Sequence, residues 1–177
     1  MYSKQIETEA AKGRRVLVFG SFDGVPDSGE LDGKLIPLGM VTLSNPIREE
    51  APETFHYFSE QGVDIKVISG DNPVAVSEIS KQAEIANADQ YVDASTLKSE
   101  EDIQDAVSKY TVFGRVTPDQ KRQFVKALQA EGQTVAMTGD GVNDVLALKE
   151  ADCSVAMASG SDAAAQVSQL VLLNSNF

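Results

Sequence analysis

Short apolar runs alternate along the chain with longer stretches whose apolar residues recur every three or four positions. Val16-Leu17-Val18-Phe19 reads as a strand, and Leu35 to Leu43, interrupted by Pro37, as a second. A loop rich in Gly and Asp, Asp23 to Gly33, joins them, so the pair predicts a hairpin rather than a crossover unit. From Asn45 the rhythm changes. Glu49 to Gln61 carries Ala51, Phe55 and Phe58 at helical spacing, with Gly62 as its stop. Ile65 to Ile68 predicts a strand, Pro73 to Ile85 a helix, Ser99 to Tyr110 a helix and Thr111 to Gly114 a strand. Thr117 as cap and Pro118 as first residue start a helix that stops at Gly132. Thr134 to Thr138, Ser154 to Met157 and Leu170 to Leu173 read as strands, with helices over Asn143 to Ala151 and Asp162 to Ser168 between them.

Strands alternating with helices imply a doubly wound α/β fold, its mostly parallel sheet covered on both faces. Such sheets place ligands beyond the carboxyl ends of their strands. A boundary falls near residues 43 to 46, where the hairpin gives way to alternation. At 177 residues and 42% hydrophobic the chain can bury a core. A net charge of -12 argues against non-specific nucleic-acid binding, which needs a cationic face. The lone cysteine, Cys153, excludes an internal disulfide framework and fits a reducing compartment. No apolar run reaches the roughly 18 residues of a membrane span. Met1 to Gln5 opens no signal-peptide pattern.

Two segments that follow strands carry candidate chemistry. In Thr138-Gly139-Asp140-Gly141-Val142-Asn143-Asp144 the glycines let the backbone turn and approach a ligand. Asp140 and Asp144, with Asn143 between them, form an oxygen-rich group suited to Mg²⁺. The plainer alternative is that Asp140 ends a strand and Asn143 or Asp144 caps a helix. Ser69-Gly70-Asp71 offers a hydroxyl and free N–H groups at a helix start, suited to an anion; the alternative is an ordinary cap by Asp71 or Asn72. Lys121 sits in a first helical turn, where the dipole disfavours a cation. It is either a solvated surface lysine or a cation turned toward the strand ends. Together the three suit phosphoryl transfer, where the protein mainly positions groups and neutralises charge. A nucleophile is missing. Phe22-Asp23-Gly24 follows a strand, but Ser21 stands at the attacking position and a serine cannot form an acyl-phosphate.

Thr138 to Asp144 followed by Ala147-Leu148-Lys149 resembles the hinge-proximal motif of P-type cation-transporting ATPases. Ser69-Gly70-Asp71-Asn72-Pro73 resembles their Thr-Gly-Asp-Asn loop, and Arg115-Val116-Thr117-Pro118-Asp119-Gln120-Lys121 their Arg-x-x-Pro-x-x-Lys element. The tail from Val155 to Phe177 resembles the segment leading to the next membrane helix. Order and spacing agree over roughly residues 39 to 177. The resemblance implies a haloacid-dehalogenase-like phosphorylation domain, cytoplasmic in a membrane pump that couples ATP hydrolysis to cation transport through an aspartyl-phosphate. The family's Asp-Lys-Thr-Gly string is nowhere in this sequence. The resemblance therefore implies residues 1–43 as the tail of a nucleotide-binding domain and 44–177 as the later part of the phosphorylation domain, without its nucleophile strand. Asp140 would ligate Mg²⁺, with Asp144 supporting the metal site and Asn143 ordering the loop. Lys121 would stabilise the phosphoryl group, Ser69, Gly70 and Asp71 would form its oxygen-binding loop, and Arg15 would contact nucleotide phosphate.

Three departures stand out: Ser69 for the usual Thr, Asn45 for the usual Asp, and Val145-Leu146 for Ala-Pro. The expected partners are ATP, the cation and the remainder of the pump, and the isolated chain is expected not to phosphorylate itself. Loss of the central strand would leave exposed sheet edges, prone to rearrangement or self-association. The competing readings are a free-standing phosphatase of the same superfamily and a non-catalytic remnant that binds metal or a partner.

Overall fold

The computed structural model describes residues 2–10, 12–23, 35–44 and 46–174. Most of the predicted loop at 23–33, Asn45 and the last three residues of the tail lie outside the described residues. Helix α1, Tyr2–Ala10, precedes the hairpin and is not foreshadowed by the apolar pattern. Strands β1, Arg15–Phe22, and β2, Leu35–Leu43, pair antiparallel as expected, with an irregularity where Gly20 meets Pro37. Pro37 has no N–H to give the ladder, which accounts for the break there.

Alternation then begins. Helix α2, Ala51–Glu60, leads to β3, Val67–Ile68, and α3, Pro73–Gln82. Strand β4, Tyr91–Asp93, is followed by α4, Glu100–Lys109, and β5, Val112–Gly114. Helix α5, Pro118–Ala130, precedes β6, Ala136–Gly139, and α6, Val145–Glu150. The chain continues through β7, Cys153–Met157, α7, Asp162–Val167, and β8, Leu170–Leu172. The fold is α/β with parallel sheets.

Among the described residues the strands after the hairpin do not form one continuous sheet. They form two parallel sheets of three strands, ordered β3-β5-β4 and β6-β7-β8. Strands β3 and β6 are each an outer strand. The N–H groups of Val67 and Ser69 donate to the C=O groups of Thr111 and Phe113 on the β5 side. By the alternation of a parallel strand, Ile68 turns its backbone N–H and C=O to the open side.

One helix joins the two halves. Phe124 and Ala127 of α5 are buried with Phe113, Val107 and Ile103 in the core of the first sheet. Val125 of the same helix is buried with Val135, Met137 and Leu148 in the core of the second, and Leu128 packs against both. The sequence sets this up at the helix start. Thr117 Oγ1 accepts the Gln120 N–H and Gln120 Oε1 accepts the Thr117 N–H, a reciprocal cap with Pro118 as first residue.

Candidate functional site

Three loops at carboxyl ends of strands build the site. The first leaves β3 as Ser69-Gly70-Asp71-Asn72. Asn72 Oδ1 accepts the Val74 N–H at 2.9 Å and caps α3. That cap leaves Ser69, Gly70 and Asp71 as a loop ahead of the helix. Ser69 Oγ accepts the Asp71 N–H at 3.1 Å, so the hydroxyl proton of Ser69 remains available to donate.

The second loop, after β5, crosses the first. The Arg115 N–H donates to the Asp71 C=O at 2.8 Å, and the Val116 N–H to the Ser69 C=O at 3.0 Å. The crossing is close enough to require glycine at 114, where a Cβ would stand 2.4 Å from the backbone N of Pro73. Arg115 has φ +54°, in the left-handed region that non-glycine residues rarely occupy. Its guanidinium meets Asp93 Oδ2 at 2.9 Å. The Ser95 hydroxyl, with the Ser95 N–H and Arg115, holds the Asp93 carboxyl below the usual carboxylate range. Asp93 escaped the sequence reading, because β4 is only three residues long and carries no periodicity.

The third loop follows β6. Gly139 is pressed against Asp144, where a Cβ would lie 2.6 Å from the Asp144 Cβ. Asp144 is buried, and Lys121 Nζ lies 2.6 Å from its Oδ1. Its Oδ2 accepts the Gly141 N–H at 3.0 Å. The Lys121 and Asp144 side chains are only 14% and 8% exposed. Lys121 is therefore no solvated surface lysine, and Asp144 offsets the cost of its place in a first helical turn.

This arrangement differs in one respect from two carboxylates facing a common cation. Both Asp144 oxygens are engaged, one by Lys121 and one by the Gly141 N–H. A short helical turn, Val142–Asp144, swings Asp144 inward under the loop. Asp140 stays exposed, and its carboxylate takes no hydrogen bond or ion pair among the described residues. Asn143 is exposed on the same turn. No described cluster of three or more His, Cys, Asp or Glu side chains could hold a metal alone. The exposed Asp140 carboxylate and Asn143 amide are hard oxygen donors of the kind Mg²⁺ takes together with phosphate oxygens and water.

Lys121 and Asp144 are thus brought into contact, and Ser69 and Asp71 are tied to the segment that starts α5. No described hydrogen bond joins Ser69, Gly70 or Asp71 to Asp140 or Asn143. Arg15 opens β1 opposite Leu43, exposed and without a described polar partner.

A family model described as haloacid dehalogenase-like hydrolase matches residues 3–152. The chain belongs to the haloacid dehalogenase-like hydrolases. Within this family its resemblance to P-type ATPases extends to curated proteins over nearly its whole length. It is 47% identical over 176 residues, 99% of the chain, to the calcium-transporting ATPase CtpE of Mycobacterium bovis. It is 49% identical over 140 residues, 79% of the chain, to the probable cation-transporting ATPase exp7 of Streptococcus pneumoniae. The chain spans 22% of the first of these proteins and 18% of the second. Among solved structures it matches the catalytic domain of the CPx-ATPase CopB-B, from work on its conformational changes upon nucleotide binding. That match has TM-score 0.58 and 25% identity, covering 83% of this chain and 48% of the other. Among the described residues no helix is long and apolar enough to cross a membrane.

Proposed function

We propose that this haloacid dehalogenase-like chain is the later part of the phosphorylation domain of a membrane cation pump. The parent protein would couple ATP hydrolysis to cation transport through an aspartyl-phosphate, with this region on the cytoplasmic side. One observation carries the reading: the buried Lys121–Asp144 ion pair lies in the loop system that presents the open carboxylate of Asp140.

In this reading Asp140 holds Mg²⁺, and Asn143 orders its loop. The bound cation would supply charge neutralisation on the phosphoryl oxygens. Asp144 keeps Lys121 at the strand ends, and the lysine's remaining N–H donors stabilise the phosphoryl group. The Ser69 hydroxyl and the Gly70 N–H donate to phosphoryl oxygens, while the Arg115 contact holds Asp71 and so the shape of that loop. The acceptor aspartate comes from the rest of the parent protein, on a strand that joins the open side of β3 or β6. Without that strand the same edges are prone to self-association.

Residues 1–43 fit the tail of a nucleotide-binding domain. Leu17, Phe19, Ile36 and Leu38 are each at least half exposed on the hairpin, an apolar surface that a larger domain would cover. Arg15 at its start is offered to nucleotide phosphate, with ATP as the cofactor of the parent protein.

Incubating the chain with Mg²⁺ and ATP labelled on the γ-phosphate tests the missing nucleophile. No stable label should appear on any residue. An acid-stable aspartyl-phosphate within the chain would contradict the reading, and turnover across a panel of small phosphate esters would favour a free-standing phosphatase.

A further inference from the structure

A fourth loop reaches Asp140, and none of its side chains advertises chemistry. Strand β7 ends at Met157, and Ala158-Ser159-Gly160-Ser161 leads to α7. The Ala158 N–H donates to the Leu172 C=O and the Gly160 N–H to the Met157 C=O, each at 3.0 Å. These bonds fasten the loop to the ends of β7 and β8. Ser161 Oγ accepts the Ala163 N–H at 3.2 Å and caps α7, whose Ala164 is buried in the second core.

From that footing the Ser161 N–H donates to the Asp140 C=O at 2.6 Å. Gly160 presses on the same residue. A Cβ at 160 would stand 2.5 Å from the Asp140 carbonyl oxygen and 2.9 Å from both its Cα and its Cβ. Gly160 is not among the glycines with positive φ, so it is required for space and not for backbone freedom. The Asp140 side chain has no polar partner of its own among the described residues. Its direction is therefore set through its backbone, and this loop grips that backbone.

We propose that Gly160 and the N–H of Ser161 are positioning elements for Asp140, aiming its carboxylate without touching the cation or the phosphoryl group. The proposal rests on the reading of Asp140 as the Mg²⁺-holding residue. Ser161 has φ -75°, a value proline adopts. Ser161→Pro keeps a compatible φ but puts Cδ in place of the N–H that meets the Asp140 C=O, so it both removes the bond and pushes that carbonyl away, whereas Ser161→Ala removes the capping hydroxyl and keeps the N–H.

The test is Mn²⁺ binding to the full chain, followed by the paramagnetic resonance of the free ion, with circular dichroism reporting the fold. Ser161→Ala should bind Mn²⁺ like the unaltered chain. Ser161→Pro and Gly160→Ala should bind it at least about tenfold more weakly, the usual cost of losing an outer support of a metal ligand. Equal affinity of Ser161→Pro and Ser161→Ala would overturn the proposal. Should Ser161→Pro lose its helical signal, Gly160→Ala decides by the same comparison. If the unaltered chain binds no more tightly than Asp140→Asn, the reading of Asp140 itself fails, and this proposal with it.

Discussion

Asp144→Asn is expected to lower the free energy of unfolding by about 3 kcal/mol, the low end of what breaking a buried ion pair costs. The substitution removes the countercharge from Lys121, whose side chain is 14% exposed and sits in a first helical turn. An ammonium left there has neither full hydration nor a partner. The amide oxygen can still accept the Gly141 N–H, so that contact is not the source of the loss. Urea unfolding followed by circular dichroism measures the effect. A second variant isolates its cause: adding Lys121→Met to Asp144→Asn should recover part of the loss, since the unpaired charge is then gone. A change in the range of an exposed surface pair, about 0.5 kcal/mol, would mean that solvent reaches the lysine freely.

Phe124→Ala is expected to cost about 3 to 5 kcal/mol, the range for truncating a buried aromatic side chain. Phe124 is 0% exposed, and its ring centroid lies 4.6 Å from that of Phe113. Its helix also carries Val125 and Leu128 into the second core. With two separate sheets sharing α5, loosening that helix should be felt on both. Hydrogen exchange checks this directly: amides of β5 and of β6 should lose protection together. Loss confined to β5 would show that the two halves open independently.

Much of this arrangement could be read before any coordinates, and the exceptions share a cause. Thr117-Pro118 announced the start of α5, and the apolar runs ending in Ser69 and Gly139 marked the carboxyl ends where the loops gather. Both rest on local rules that a few consecutive residues carry. Helix α1 offers only Tyr2, Ile6 and Ala10 as apolar residues, a row too short to read as a helix, and its Glu9 meets Lys12 and Arg14 beyond the helix end. Strand β4 was too short to show alternation. Spacing placed Asp140 and Asp144 on one loop but could not tell which way each side chain turns. That depends on the helical turn at Val142–Asp144 and on Lys121, which is distant in sequence. Gly160 left no signal either, because its need is for space against a residue of another loop. The division of the strands into β3-β5-β4 and β6-β7-β8 was not legible either, because the apolar runs mark where strands lie and not which of them pair.

In the proposed function Asp140, Lys121 and the Ser69–Gly70 loop form one phosphoryl site. A crystal structure of the chain soaked with Mg²⁺ and a phosphate mimic measures this most directly. The metal should sit on the Asp140 carboxylate, and the mimic between the Lys121 ammonium and the Ser69 hydroxyl, with Lys121 still joined to Asp144. A mimic bound elsewhere, with the Asp140 carboxylate turned away from the metal, would contradict it.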